Sequence, residues 1–128
     1  QFMGKEEVVR LMESEIIEVI PLEMLRGASL NDTFLIMDEA QNTEKEQMLL
    51  LLTRFGDNSK FVICGDLGQN DLRLQSREYT SADQTGFAFA CRNLADKDEN
   101  IAYVELTIDD VVRSGIVKTI LIEWSKGR

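Results

Sequence analysis

Two short all-apolar runs, each closed by polar residues, limit what this chain can fold into. The first is Phe34-Leu35-Ile36-Met37, closed by Asp38-Glu39. The second is Phe61-Val62-Ile63, within Lys60 to Cys64, closed by Gly65-Asp66. Runs of this length without alternation read as strands buried on both faces, the habit of a parallel sheet. A helical pattern lies between them. Thr43 with Glu46 has capping-box spacing, and Gly56 stands where a left-handed residue would end the helix. Leu49 to Leu52 cannot all share one face, which predicts a helix buried over much of its surface. Both acids then fall at the carboxyl end of a buried strand, where open α/β sheets bind ligands.

The chemistry follows from the residue types. Adjacent carboxylates at a strand tip stay ionised more easily beside a cation. Magnesium takes hard oxygen ligands and usually arrives with phosphates. The reading is a Walker-B-type site, with Asp38 in the magnesium shell and Glu39 orienting or polarising an attacking water. The alternative is a strand that ends in solvated acids. The second strand favours the site. Its Gly65 permits a sharp turn at the tip, Asp66 can order the loop or touch the magnesium shell, and Gln69 can reach a γ-phosphate or the water.

Composition removes several other functions. The chain has 128 residues, enough for one domain, residues 1–128, with a core. It contains no histidine, which excludes Ser-His and Cys-His nucleophiles and imidazole-based zinc sites. Cys64 and Cys91 form no CxxC and read as buried reduced thiols of a cytoplasmic protein. No apolar run approaches membrane-spanning length, and no secretory signal opens the chain. The net charge of −9 argues against nucleic-acid binding through the overall field, so RNA contact would need a local patch or another part of the protein; Arg73 and Arg77 are candidates for such a patch, although loop arginines are more often simply solvated. The first residue is Gln1, which reads as an internal point of a longer protein.

The rest of the chain continues the α/β alternation. Lys5 to Glu13 reads as a short amphipathic helix and Ile16 to Val19 as a strand before Pro21. Asn70 to Ser81 is polar and reads as a loop, and Ser81 with Gln84 offers a cap for a helix carrying Phe87, Ala88, Ala90, Cys91 and Leu94 inward. Ile101 to Leu106 reads as a third strand. Thr107, with Asp110, caps a last helix that lines up Val112, Ile116, Ile120 and Trp124. Arg113 in its first turn is unfavourable with the helix dipole, and an anionic ligand would explain it. The predicted class is a mostly parallel sheet with helices outside, a three-layer α/β/α arrangement.

Taken together, these pieces resemble the PhoH-like proteins, RecA-fold P-loop NTPases related to superfamily 1 helicases. The resemblance rests on Arg26-Gly27, DEAQN from Asp38 to Asn42, LTRFG from Leu52 to Gly56, the Gly65 to Leu72 run, Thr85-Gly86-Phe87, and DVVR from Asp110 to Arg113. It implies a partial RecA-like domain acting on ATP with Mg2+, in RNA metabolism. It implies Asp38 and Glu39 as the Walker B pair and Gln41 as the nucleotide-binding glutamine that follows it. Gly65, Asp66 and Gln69 are similar to the γ-phosphate-sensing motif III, and Arg113 to an arginine-finger-like sensor. Arg54 is implied as a second sensor or a subunit contact. The chain departs from the family at Leu67-Gly68, Ala28 and Ser114, and around Arg73 to Gln84.

No G-x-x-x-x-G-K-[ST] occurs in the sequence, so the phosphate-gripping loop is missing from these residues. The expectation is that these residues alone hold ATP weakly or not at all. A RecA-like sheet without its phosphate-loop strand should expose an edge, which invites homo-oligomer formation. The competing reading is a non-catalytic fold fragment that serves oligomerisation or partner docking.

Overall fold

A computed structural model describes residues 3–25, 27, 29–67, 85–95, 97–112 and 114–126. The chain divides into two compact units, Gln1–Asn93 and Leu94–Arg128.

In the first unit, β1 (Phe34–Met37) and β2 (Lys60–Ile63) pair in parallel, with Phe34 opposite Lys60 and Met37 opposite Ile63. They are joined by α2 (Lys45–Leu52). α1 (Lys5–Glu13) precedes them, and α3 (Gly86–Leu94) follows. Both strands stand where the apolar runs predict them. Their burial differs from expectation. Leu35, Met37, Phe61 and Ile63 pack on a core of Leu25, Met48, Leu51 and Phe87. On the other face Phe34 and Ile36 are 64% and 67% exposed. The strands are therefore covered on one face among the described residues, and the small α/β unit is seen without a third layer.

α2 is likewise one-sided. Met48 and Leu51 are buried, whereas Leu49 is exposed. Its cap is one residue later than the spacing predicts: the N-cap is Glu44, whose N–H donates to Gln47 Oε1 at 2.9 Å. Thr43 is withdrawn from capping because its hydroxyl donates to the Ala40 carbonyl at 2.7 Å. Gly56 does not end the helix, which stops at Leu52 with Thr53 as C-cap. Its role is close approach, since a Cβ there would lie 2.6 Å from the Leu30 carbonyl oxygen.

No strand forms over Ile16 to Val19. The Ile16 and Ile17 amides donate back to the Leu11 carbonyl at 2.9 and 3.1 Å, which closes α1 and removes them from any ladder. Neither thiol is fully buried, Cys64 being exposed and Cys91 half-buried. The loop predicted from Asn70 to Ser81, the Ser81–Gln84 cap, Arg73 and Arg77 lie outside the described residues.

In the second unit, Ile101 to Leu106 is not a strand; a strand exists only through its ladder, and the sheet among the described residues has two members. Thr107 does cap, but it caps a 3-10 turn, Ile108–Asp110, and the helix α4 begins later, at Gly115–Lys126. Val112 thus lies outside the helix and fully exposed, while Ile116, Ile120 and Trp124 remain exposed on it. No helix among the described residues is long and apolar enough to cross a membrane.

Candidate functional site

Parallel pairing in register puts both strand tips at one edge, and the backbone stays zipped beyond the strands. The Cys64 amide donates to the Met37 carbonyl at 2.8 Å, and the Ala40 amide donates to the Cys64 carbonyl at 2.9 Å. Between these two bonds the first chain must turn within Asp38-Glu39. It does so by placing Glu39 in the left-handed region, φ 55° and ψ 34°. A non-glycine residue pays for that conformation with strain of about 1–3 kcal/mol, which the surroundings must hold in place. Asp38 Oδ1 helps by accepting the Glu39 amide at 2.9 Å. A 3-10 turn, Ala40–Asn42, then leads to α2.

Gln41 connects the two tips. It is 4% exposed. Its Oε1 accepts the Asp66 amide at 3.0 Å, and its Nε2 donates to Glu39 Oε2 at 2.5 Å. Gly65 adopts no left-handed turn. A Cβ there would lie 2.8 Å from the Phe87 ring and 3.0 Å from the Gln41 amide nitrogen, so glycine is required by close packing.

Phe87 is held in turn by the start of α3. The Thr85 hydroxyl accepts the Ala88 amide at 3.2 Å, and the Gly86 amide donates to the Thr43 carbonyl at 2.7 Å. A Cβ on Gly86 would lie 2.3 Å from the Glu44 carbonyl oxygen. Thr43 and Thr85 are both buried polar residues. Their part in the site is not legible in the sequence. Thr85-Gly86-Phe87 marks the resemblance, but no spacing pairs it with Thr43 and Gly65.

The structure therefore brings Asp38, Glu39, Gln41, Gly65 and Asp66 to one rim. Asp38 and Glu39 are exposed there. Among the described residues no group of three acids or cysteines is close enough to hold a metal by itself. The donor set still fits magnesium, which is commonly bound through one or two carboxylates plus phosphate oxygens and waters. Arg54 is not part of the rim. Its carbonyl accepts the Leu30 amide at 2.8 Å, before β1 begins, whereas the rim lies after β1 ends. The four-residue strand alone separates these by about 13 Å. Arg54 instead lines a groove of about 570 Å³ with Leu22, Glu23, Gly27, Glu46, Gln47 and Leu50. Its buried Nε has no hydrogen-bond partner among the described residues. Gln69, Arg113 and Arg26 lie outside the described residues.

The family model described as PhoH-like protein matches residues 1–124. A PhoH-like protein of Mycobacterium tuberculosis is 42% identical over 97% of this chain and 33% of its own length. One from Bacillus subtilis is 40% identical over 97% of the chain and 36% of its own. A protein named PhoH2 from Thermobispora bispora is 41% identical over 52% of the chain. The chain spans about a third of the length of the first two relatives. With that match across nearly its whole length, the chain belongs to the PhoH-like protein family.

Proposed function

We propose that the full-length protein carrying this chain binds and hydrolyses ATP, acting in RNA metabolism, and that this chain supplies the hydrolytic and sensing edge of the site. The supporting observation is the shared rim: two parallel tips tied to each other, with Asp38 and Glu39 exposed on it. Magnesium, when bound, neutralises developing phosphate charge. Asp38 holds it. Glu39 orients the attacking water, and the Gln41 bond to Oε2 fixes the carboxylate that does so. Gly65 and Asp66 form the sensing loop with Gln69, and Arg113 stabilises the γ-phosphate. The phosphate-gripping loop comes from outside these residues. The parent domain is a three-layer RecA-like fold in the cytoplasm. Arg54, away from the rim, fits the subunit-contact role better than a sensor.

Hydrolysis by the full-length protein tests this. Glu39→Gln should lower turnover by about 100-fold or more, and Asp38→Asn should raise the magnesium requirement. Full turnover in Glu39→Gln refutes the reading. A second reading, a fold fragment that docks with another copy, is favoured by the exposed Phe34 and Ile36 on the sheet's outer face. In that case the full-length protein shows no ATP turnover and its oligomers dissociate in Ile36→Lys.

A further inference from the structure

Gln41 stands in the family-like position of a nucleotide-side glutamine, yet its amide is committed inward. The two ends of an amide are alike in shape, but here chemistry selects one orientation. The Asp66 amide can only donate, so it must face Oε1. The Glu39 carboxylate can only accept, so it must face Nε2. At 4% exposure, both arms are needed to satisfy a buried polar group. One arm holds the carboxylate of a residue whose backbone is in the left-handed region. The other holds the backbone of the loop after β2.

From this we infer that Gln41 is a positioning residue that touches no nucleotide. It fixes the Glu39 carboxylate and couples that carboxylate to the Asp66 loop. A shift in either tip is transmitted to the other through one side chain, so the sensing loop and the water-orienting carboxylate move as a unit. This rests on the proposed ATP-hydrolysing role for its catalytic consequence, and on geometry alone for the coupling.

Two variants of the full-length protein separate the arms. Gln41→Leu removes both. Gln41→Glu keeps an acceptor for the Asp66 amide and replaces the donor that faces Glu39 with a carboxylate oxygen. The coupling is read by hydrogen exchange at the Asp66 amide. Exchange should accelerate about 10-fold or more in Gln41→Leu, as expected for a part-buried amide losing its acceptor, and stay at the parent rate in Gln41→Glu. Catalysis is read as turnover against binding of a fluorescent ATP analogue. Both variants should lose about 100-fold in kcat, the scale of a misplaced catalytic group, with the analogue's Kd within about twofold.

Unchanged Asp66 exchange in Gln41→Leu overturns the coupling. A weakened Kd at unchanged kcat makes Gln41 a nucleotide contact and overturns the positioning role. If Gln41→Leu does not fold, the closer isostere Gln41→Met, which has no N–H donor, takes its place, and parent-like kcat in it overturns the hold on Glu39. If Glu39→Gln hydrolyses ATP at the full rate, the proposed function fails, and the exchange measurement still decides the coupling.

Discussion

Substituting alanine for Gly86 tests how the rim is supported. The new Cβ would lie 2.3 Å from the Glu44 carbonyl oxygen and 2.6 Å from Met48 Cβ. The first neighbour is backbone at the start of α2 and cannot swing away. Forced overpacking of this kind costs about 1–3 kcal/mol. Pushing α3 back also stretches the 2.7 Å bond from the Gly86 amide to the Thr43 carbonyl, worth about 1 kcal/mol. The reduced freedom of the unfolded chain returns about 0.4–1 kcal/mol. The net loss is about 1–3.5 kcal/mol, or about 4–14 °C in Tm for a chain of this length. Thermal unfolding followed by circular dichroism reads it. Gly65→Ala should cost less, about 1–2 kcal/mol, because its nearest neighbour is the Phe87 ring at 2.8 Å, which can tilt. Gly115→Ala is the control: among the described residues nothing beyond its chain neighbours and its own helix backbone lies within 4 Å of its Cβ, and Tm should hold or rise. A Gly86→Ala protein that unfolds within about 2 °C of the parent, under half the shift from 1 kcal/mol, would refute the packing argument.

Glu39→Gly relieves the left-handed strain, about 1–3 kcal/mol, and strands the buried Gln41 Nε2, about 1–3 kcal/mol, so Tm should stay within about 4 °C of the parent, the shift from about 1 kcal/mol, while the ATP turnover proposed for the full-length protein is lost; a larger fall in Tm would show that the Glu39–Gln41 bond outweighs the backbone strain. Exposed Cys64 should react with a thiol reagent before Cys91, whose thiol is pushed above its ordinary value by burial. Cys91 labelling should rise only at higher pH, and its stabilising contribution, present below the unfolded thiol pKa, should fade as pH rises through the folded one; equal rates near neutrality would contradict this. The Thr107 backbone and side-chain hydrogen bonds hold Asp110 below its usual carboxylate range. The contribution of that turn is therefore present above the unfolded value and lost as pH falls through the folded one. An NMR titration should show the Thr107 amide shifting with Asp110 in that acid window, and an amide indifferent to it would break the link.

The strands and the rim are legible in the sequence because both depend on local residue type. An unbroken apolar run marks a strand with at least one covered face, and a helix pattern between two such runs makes them parallel neighbours. What lies at the edges is less legible. Thr43 and Glu44 both suit an N-cap, and the choice falls to Glu44 because Thr43's hydroxyl finds the Ala40 carbonyl, a competition settled by the turn geometry. Gly56 and Gly65 read as turn glycines. Both are contact glycines, whose neighbours are distant in sequence: Leu30 for one and Phe87 for the other. A sequence can announce a glycine but not which chain comes close to it.

Burial is overstated by the sequence for the same reason. Four apolar residues in β1 call for cover on both faces. Only Leu35 and Met37 pack on the core, and Phe34 and Ile36 face outward uncovered by any described residue. If a further layer covers that face in the full-length protein, Ile36→Lys should destabilise it by several kcal/mol, the cost of burying an unpaired charge. If the face is open to water, the same substitution should change stability by less than about 0.5 kcal/mol, as exposed substitutions usually do. Chemical denaturation of the two full-length proteins separates the cases. A neutral outcome would mean that the apolar strand is written for something other than an interior, and would remove the three-layer fold from the proposed function.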